Sequence, residues 1–144
     1  MNYKMHNKSN RDVSDIQQMM KSFMPYAQKR IGFNKPPTIN FQSDDINAKN
    51  VLGKTGFYDP QAMSITVFVD GRHPKDILRS LSHELVHHGQ NCRGDFKTAS
   101  GMGEQGYAQS NPHLREMERE AYEVGNLCFR DWEDNYKQQT NYVQ

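Results

Sequence analysis

Two histidines and a glutamate stand at a spacing that suits metal-assisted hydrolysis. The segment His83-Glu84-Leu85-Val86-His87 is a complete H-E-x-x-H pattern, and it falls inside a predicted helix. On a helix, His83 and His87 project from one face about 40° apart, so both imidazoles can reach one metal ion. Glu84 lies beside that ion, where it can take a proton from an attacking water and pass it to a leaving amine.

The alternative is a solvated helical face that happens to carry paired histidines. The rest of the helix argues against it, because Leu78, Leu81 and Leu85 form an apolar stripe on the side opposite His83 and His87. Histidines opposite the stripe that packs on the core can line a cleft. We therefore predict a metal site on this helix.

A catalytic zinc ion takes three protein ligands and a water, so a third ligand is needed. The extended pattern H-E-x-x-H-x-x-G-x-x-H is excluded, because Gln90 and Arg93 stand where it requires Gly and His. The remaining candidates belong to the last predicted helix. They are His113, Glu116, Glu118, Glu120, Glu123 and Asp131.

Helical projection selects one of these candidates. The apolar positions of the last helix that cluster around Glu120 are Met117, Ala121, Val124, Leu127 and Cys128. A carboxylate in a buried stripe is costly unless it is paired or binds metal, so Glu120 is the predicted third ligand. Glu118 projects well away from this stripe, and Arg119 can neutralise Glu116 at helical spacing. Glu116 and His113 remain the next candidates.

The elements that position these residues predict an α+β fold with a small antiparallel or mixed sheet. Apolar periodicity and turn residues predict a helix over 12–30, a strand over 38–41, a hairpin over 54–58 and 64–69, the motif helix from Pro74 to Gly89 or Gly94, and a last helix from Pro112 to about 136. Residues 94–111 read as a long loop, and we expect flexible tails at 1–10 and 137–144. The length suits a single domain over 1–144.

Composition excludes several classes of protein. The chain is rich in amides, with 12 Asn and 11 Gln, and its net charge is only +1, so no strong field attracts nucleic acid or anionic lipid. The longest apolar run, 65–69, is far too short to span a membrane. The N-terminus lacks the apolar core of a signal peptide, and Cys92 and Cys128 suit reduced thiols. We expect a cytoplasmic protein that binds neither nucleic acid nor membrane.

The motif, the loop and the sequence Glu120-Ala121-Tyr122 on a following helix resemble the gluzincin branch of zinc metallopeptidases. Within it, residues 54–134 are most similar to minimal zincins such as the bacterial and phage ImmA/IrrE-type domains. The resemblance implies one zinc ion per chain held by His83, His87 and Glu120, with Glu84 as general base and acid. It also implies a protein or peptide substrate, bound by addition to an edge strand within 64–69.

Two departures from this family leave roles open. Larger gluzincins carry an Asp four residues after the ligand Glu, where this chain has Val124, so Asp131 is one candidate to orient a histidine. Those enzymes also stabilise the oxyanion from a further subdomain, and Tyr107, His113 or Tyr122 are candidates for that task here. The rival hypothesis is a zincin-like interaction or regulatory module that binds metal without cutting. The sequence leaves the oligomeric state open.

Overall fold

The computed structural model describes residues 2–43, 55–96 and 112–143, with side chains up to residue 137. Four strands and three helices occupy these ranges. They are β1 (Lys4–Asn7), α1 (Ser14–Ile31), β2 (Thr38–Gln42), β3 (Gly56–Asp59), β4 (Ser64–Phe68), α2 (Pro74–Arg93) and α3 (Pro112–Val143). The α+β prediction is confirmed, as are the predicted helices and strands to within a few residues at most ends.

The sheet is mixed, with strand order β1-β2-β4-β3. β2 pairs in parallel with β1 and β4, whereas β3 pairs antiparallel with β4. The expectation that 64–69 includes the edge strand is therefore wrong. β4 is paired on both sides, in keeping with its run of buried residues, and β3 is the edge strand among the described residues.

Both ends of the chain differ from the expected flexible tails. Residues 4–7 form β1, because the parallel ladder to β2 satisfies their backbone and Met5 packs against the core. At the other end, α3 continues through the predicted tail to Val143. No helix in the described part of the chain has the length and apolarity needed to cross a membrane.

The main core lies between the sheet and the helices. Residues 39, 41, 65 and 67 belong to the core cluster and are fully buried, and on β4 the residues between and after them, Thr66 and Phe68, are buried as well. The helices supply the other side of the core through Phe23, Leu78, Leu81, Leu85, Phe129 and Trp132. The predicted core positions of α2 are thus confirmed, and the opposite face of α2 is left to form the site.

Helix α2 begins and ends where its sequence indicates. Pro74 occupies the first turn, and the ring of His73 accepts a hydrogen bond from the Lys75 backbone N–H at 3.1 Å. At the other end, Gly94 adopts the left-handed conformation with φ of 90°, which favours glycine.

Helices α2 and α3 approach each other closely at a glycine. A Cβ at Gly125 would lie 3.0 Å from the Cα of His83 and 3.2 Å from its backbone nitrogen. At the same point, the hydroxyl of Ser82 donates a 2.7 Å hydrogen bond to the Gly125 carbonyl. Because Gly125 has no side chain, this face of α3 can lie directly against the backbone of the motif helix.

Candidate metal centre

Three side chains from two helices converge at the H-E-x-x-H segment of α2. His83 and His87 on α2 and Glu118 on α3 each offer a ligand atom, and these atoms all lie within 4.8 Å of one another. Glu118 Oε1 is 2.7 Å from His87 Nε2, and Glu118 Oε2 is 3.9 Å from His83 Nε2. The two histidine rings lie 5.0 Å apart between centroids. The pairing of both histidines on one face, predicted from the i, i+4 spacing, is confirmed.

The environment of the two histidines sets their pKa values in opposite directions. Burial lowers the pKa of His83, and the neighbouring His87 lowers it further, against weaker opposing effects of Glu118 and a hydrogen bond to the Ala121 backbone. Burial also lowers the pKa of His87, but hydrogen bonds to Glu118 and Gln90 outweigh it, so this pKa is raised. The hydrogen bond from His87 holds the pKa of Glu118 below its usual range. The carboxylate is therefore ionised and available as a ligand.

The donor set suits zinc. Two imidazole nitrogens and one carboxylate oxygen are the protein ligands of a common class of catalytic zinc site, in which the fourth position stays open. Ligand atoms placed tetrahedrally about 2.0–2.2 Å from an ion are roughly 3.4 Å apart, and the distances of 2.7 and 3.9 Å bracket that separation. Small side-chain movements would bring all three atoms to bonding distance.

Glu84 lies next to this cluster without joining it. Its side chain is only 7% exposed, it borders the same cleft, and its charge contributes to the raised pKa of His87. This is the placement expected for a carboxylate that handles protons beside a metal ion.

Glu120, the predicted third ligand, is placed elsewhere. Its Oε1 accepts hydrogen bonds from Gln90 Nε2 at 2.9 Å and from Arg93 at 2.7 Å. Glu118, which the helical projection had set aside, stands at the histidines instead. The structure thus brings together His83, His87 and Glu118, whereas Glu120 is bound by Gln90 and Arg93.

The difference arises from the phase of the buried stripe on α3. The projection counted apolar side chains and so omitted Gly125, which is buried and touches the His83 backbone. The buried positions of α3 in the described range are 114, 117, 121, 125, 128, 129 and 132. Measured around the helix axis from the centre of this buried face, Glu118 lies within roughly 40°, whereas Glu120 lies roughly 120° away. A glycine in a helix interior was the signal that could have corrected the phase.

The other acidic candidates are held in ion pairs away from the histidines. Arg119 hydrogen-bonds Glu116 at 2.6 Å and also pairs with Glu123. Asp131, a candidate to orient a histidine, instead accepts a 2.8 Å hydrogen bond from Arg30.

The candidates for oxyanion stabilisation have separate positions. His113 donates to the Asp95 carbonyl at 3.1 Å, and Tyr107 lies outside the described residues. Tyr122 borders the cleft one turn after Glu118, with its ring centroid 4.5 Å from that of His83. Its side chain is 62% exposed, so its hydroxyl is accessible to a bound molecule.

An open cleft of about 1100 Å³ runs past the cluster. One wall is the edge strand β3, and the other walls come from α2 and from α3 near Tyr122 and Asn126. The Thr55 carbonyl accepts from the Phe68 N–H at 3.0 Å, so alternation in an antiparallel pair turns the peptide groups of Gly56 and Tyr58 away from β4. Their N–H and C=O groups thus point to the side of β3 opposite β4, where no strand pairs among the described residues.

A network of hydrogen bonds ties β3 to the motif helix. The hydroxyl of Tyr58 donates to His88 Nδ1 at 2.8 Å, and His88 Nε2 donates to the Lys35 carbonyl at 2.5 Å. Asn91 donates to the Tyr58 oxygen and to the Pro60 carbonyl, each at 2.9 Å. His88, which is fully buried, therefore has a structural role in this network.

No protein-family model, curated protein or solved structure matches this chain.

Proposed function

We propose that this protein is a zinc-dependent metallopeptidase with a ligand set of His83, His87 and Glu118. The observation that carries the proposal is the convergence of these three ligand atoms within 4.8 Å, beside the buried carboxylate of Glu84 and at the floor of an open cleft. The H-E-x-x-H spacing supports it independently, because a purely structural metal site has no need of Glu84.

Each residue has a defined task in this proposal. His83, His87 and Glu118 would hold the zinc ion, which would supply a Lewis acid for the scissile carbonyl and for the attacking water. Glu84 accepts the proton of the attacking water and returns it to the leaving nitrogen. Burial of Glu84 keeps bulk water from competing for this proton transfer.

The form of the cleft favours an extended peptide as substrate. The outward peptide groups of Gly56 and Tyr58 can pair with a peptide laid along β3, which positions one bond of that peptide near the histidines. This assigns to β3 the binding role that the family resemblance had attached to residues 64–69.

The test is zinc content, measured by mass spectrometry of metals, together with cleavage of a mixed library of fluorogenic peptides. We expect about one zinc ion per wild-type chain, and loss of about 3 kcal/mol of binding free energy, or over 100-fold in affinity, in Glu118→Gln. Glu116→Gln is the matched control on the same helix and keeps its zinc, because Glu116 pairs with Arg119 instead of the histidines. Glu120→Gln still offers an acceptor to Gln90 and loses far less zinc affinity than Glu118→Gln. Glu84→Gln keeps zinc and loses cleavage.

The outcomes separate the proposal from its rival. A wild-type chain that binds zinc but cleaves no peptide would support the non-catalytic module. Zinc loss in Glu120→Gln with retention in Glu118→Gln would refute the assigned ligand set. A wild-type chain that takes up no zinc on reconstitution would refute both readings of the site.

A further inference from the structure

Gln90 is a buried polar residue that connects the metal centre to α3. It lies on α2 one turn after His87, its side chain is fully buried, and every polar atom of its amide is engaged. Its Oε1 is 2.8 Å from His87 Nδ1, and its Nε2 donates at 2.9 Å to both the Met117 carbonyl and Glu120 Oε1. We infer that Gln90 is the positioning residue that orients His87 for metal binding.

The surroundings of the amide allow only one orientation. The two groups around Gln90 Nε2 are a backbone carbonyl and a carboxylate, and neither can donate a hydrogen bond. Reversing the amide would place its oxygen against these two acceptors in a buried site, at a high cost in free energy. Gln90 Oε1 must therefore face His87.

This orientation fixes the proton of the His87 ring. An amide oxygen accepts but cannot donate, so His87 Nδ1 must carry a hydrogen. Without metal, Nε2 carries a second proton and donates it to Glu118 at 2.7 Å. When the ring gives up that second proton on binding metal, the lone pair is on Nε2 and Nδ1 stays protonated. Gln90 thus selects the tautomer that binds metal through Nε2, the task that a carboxylate performs in many zinc sites.

The role of Glu120 follows from this arrangement. Its carboxylate holds the Gln90 amide and is itself held by Arg93, which also donates to Asp95 at 2.8 Å. Glu120 acts on the metal centre through Gln90 and His87, rather than as a ligand.

This inference rests on the proposed metal centre, and its test compares two buried residues of the same helix. Gln90→Met keeps the size of the side chain and removes both its donor and its acceptor. Ser82→Ala is the control, because Ser82 is also fully buried and donates to an α3 carbonyl, that of Gly125, without touching either histidine ring through its side chain. Zinc affinity is measured by competition with a chromophoric chelator, beside thermal unfolding of the metal-free chains.

We expect zinc affinity to fall about 10- to 100-fold in Gln90→Met and to stay at the wild-type level in Ser82→Ala. A fall of the same size in both variants would show a role in helix packing alone and overturn the inference. If wild type and Gln90→Met bind zinc equally well, the inference fails while the metal centre stands. If wild type binds no zinc, both fail together.

A measurement on the unmodified protein tests the same point without any variant. In the zinc-loaded wild type, ¹H–¹⁵N spectra should show the proton of His87 on Nδ1, slowly exchanging with solvent because Gln90 holds it in the core. A proton found on Nε2, with metal on Nδ1, would overturn the inference even if Gln90→Met fails to fold.

Discussion

The substitution Gly125→Ala should test the packing of α3 on α2 that brings Glu118 to the histidines. Gly125→Ala adds a Cβ that would lie 3.0 Å from His83 Cα, 3.2 Å from His83 N and 3.4 Å from the carbonyl carbon of Ser82. All three atoms belong to the backbone of α2, so no side chain can rotate aside. The two helices must separate instead.

Two opposing contributions decide the size of the effect. Alanine in a helix interior is favoured over glycine by about 1 kcal/mol. Overpacking costs about 1–3 kcal/mol, and contact with rigid backbone places this site near the upper end. The net expectation for Gly125→Ala is a loss of about 2 kcal/mol in the free energy of unfolding, or a fall in Tm of roughly 4–8 °C.

The assay is urea or thermal unfolding of the metal-free protein, followed by zinc titration. Gly89→Ala is the matched control on α2, because there the new methyl would meet only the side-chain atom Ile31 Cγ2, at 2.7 Å. The tip of a side chain can shift, and the gain in helix propensity offsets the cost, so we expect a change within about 1 kcal/mol. Gly125→Ala should also bind zinc more weakly than Gly89→Ala. Equal stability and equal zinc affinity in the two variants would refute the close approach of α2 and α3.

Three further perturbations address the edge strand and the cleft. Burial, the largest cause, raises the pKa of Tyr58 to about 12, so the folded state holds this proton more tightly than the unfolded state, in which the pKa is near 10. The resulting stabilisation is complete below about pH 10 and is lost between about pH 10 and 12. Measured by urea unfolding in that window, the free energy of unfolding should fall less steeply with pH in Tyr58→Phe than in wild type. Gly56→Ala should lower the free energy of unfolding by about 2 kcal/mol and raise KM for peptides, because its Cβ would lie 2.6 Å from the Thr66 carbonyl oxygen; a thermal melt identical to that of wild type would contradict this. Tyr122→Phe should keep zinc and lower kcat by about 100-fold if its hydroxyl stabilises the oxyanion, and an unchanged kcat would assign that task elsewhere.

The motif helix was predictable because several signals in its sequence agree. The histidine spacing, the stripe of Leu78, Leu81 and Leu85, and the proline at its start all indicate the same helix with the same face toward the core. Agreement between local signals is what makes a segment readable from one sequence.

The third ligand was not predictable from apolar periodicity alone. α3 carries four glutamates between 116 and 123, and Glu118 and Glu120 lie about 160° apart around the helix, so the orientation of α3 decides which of them faces α2. Which face of α3 is buried depends on where α3 touches α2. The buried Gly125 lies at that point of contact, and a count of apolar side chains ignores it. Gln90 was read only as a departure from the extended zinc motif, because its hydrogen bonds to Met117 and Glu120 are long-range contacts.

The order of the strands in the sheet could not be predicted from the sequence either. Residues 4–7 are polar except for Met5 and carry little sign of a strand. Their strand conformation depends on pairing with β2, which lies after an intervening helix. The continuous burial of β4 is the mark of an inner strand, but a short apolar run is compatible with an edge strand too.

Because the proposed ligands come from two different helices, zinc would act as a cross-link between α2 and α3. Binding to the folded chain alone adds about 2.7 kcal/mol to its stability when free zinc exceeds the dissociation constant 100-fold. That is a substantial share of the stability of a small domain. The fraction of chains that unfold, and hence their rate of proteolytic turnover, would then follow the supply of zinc in the surroundings.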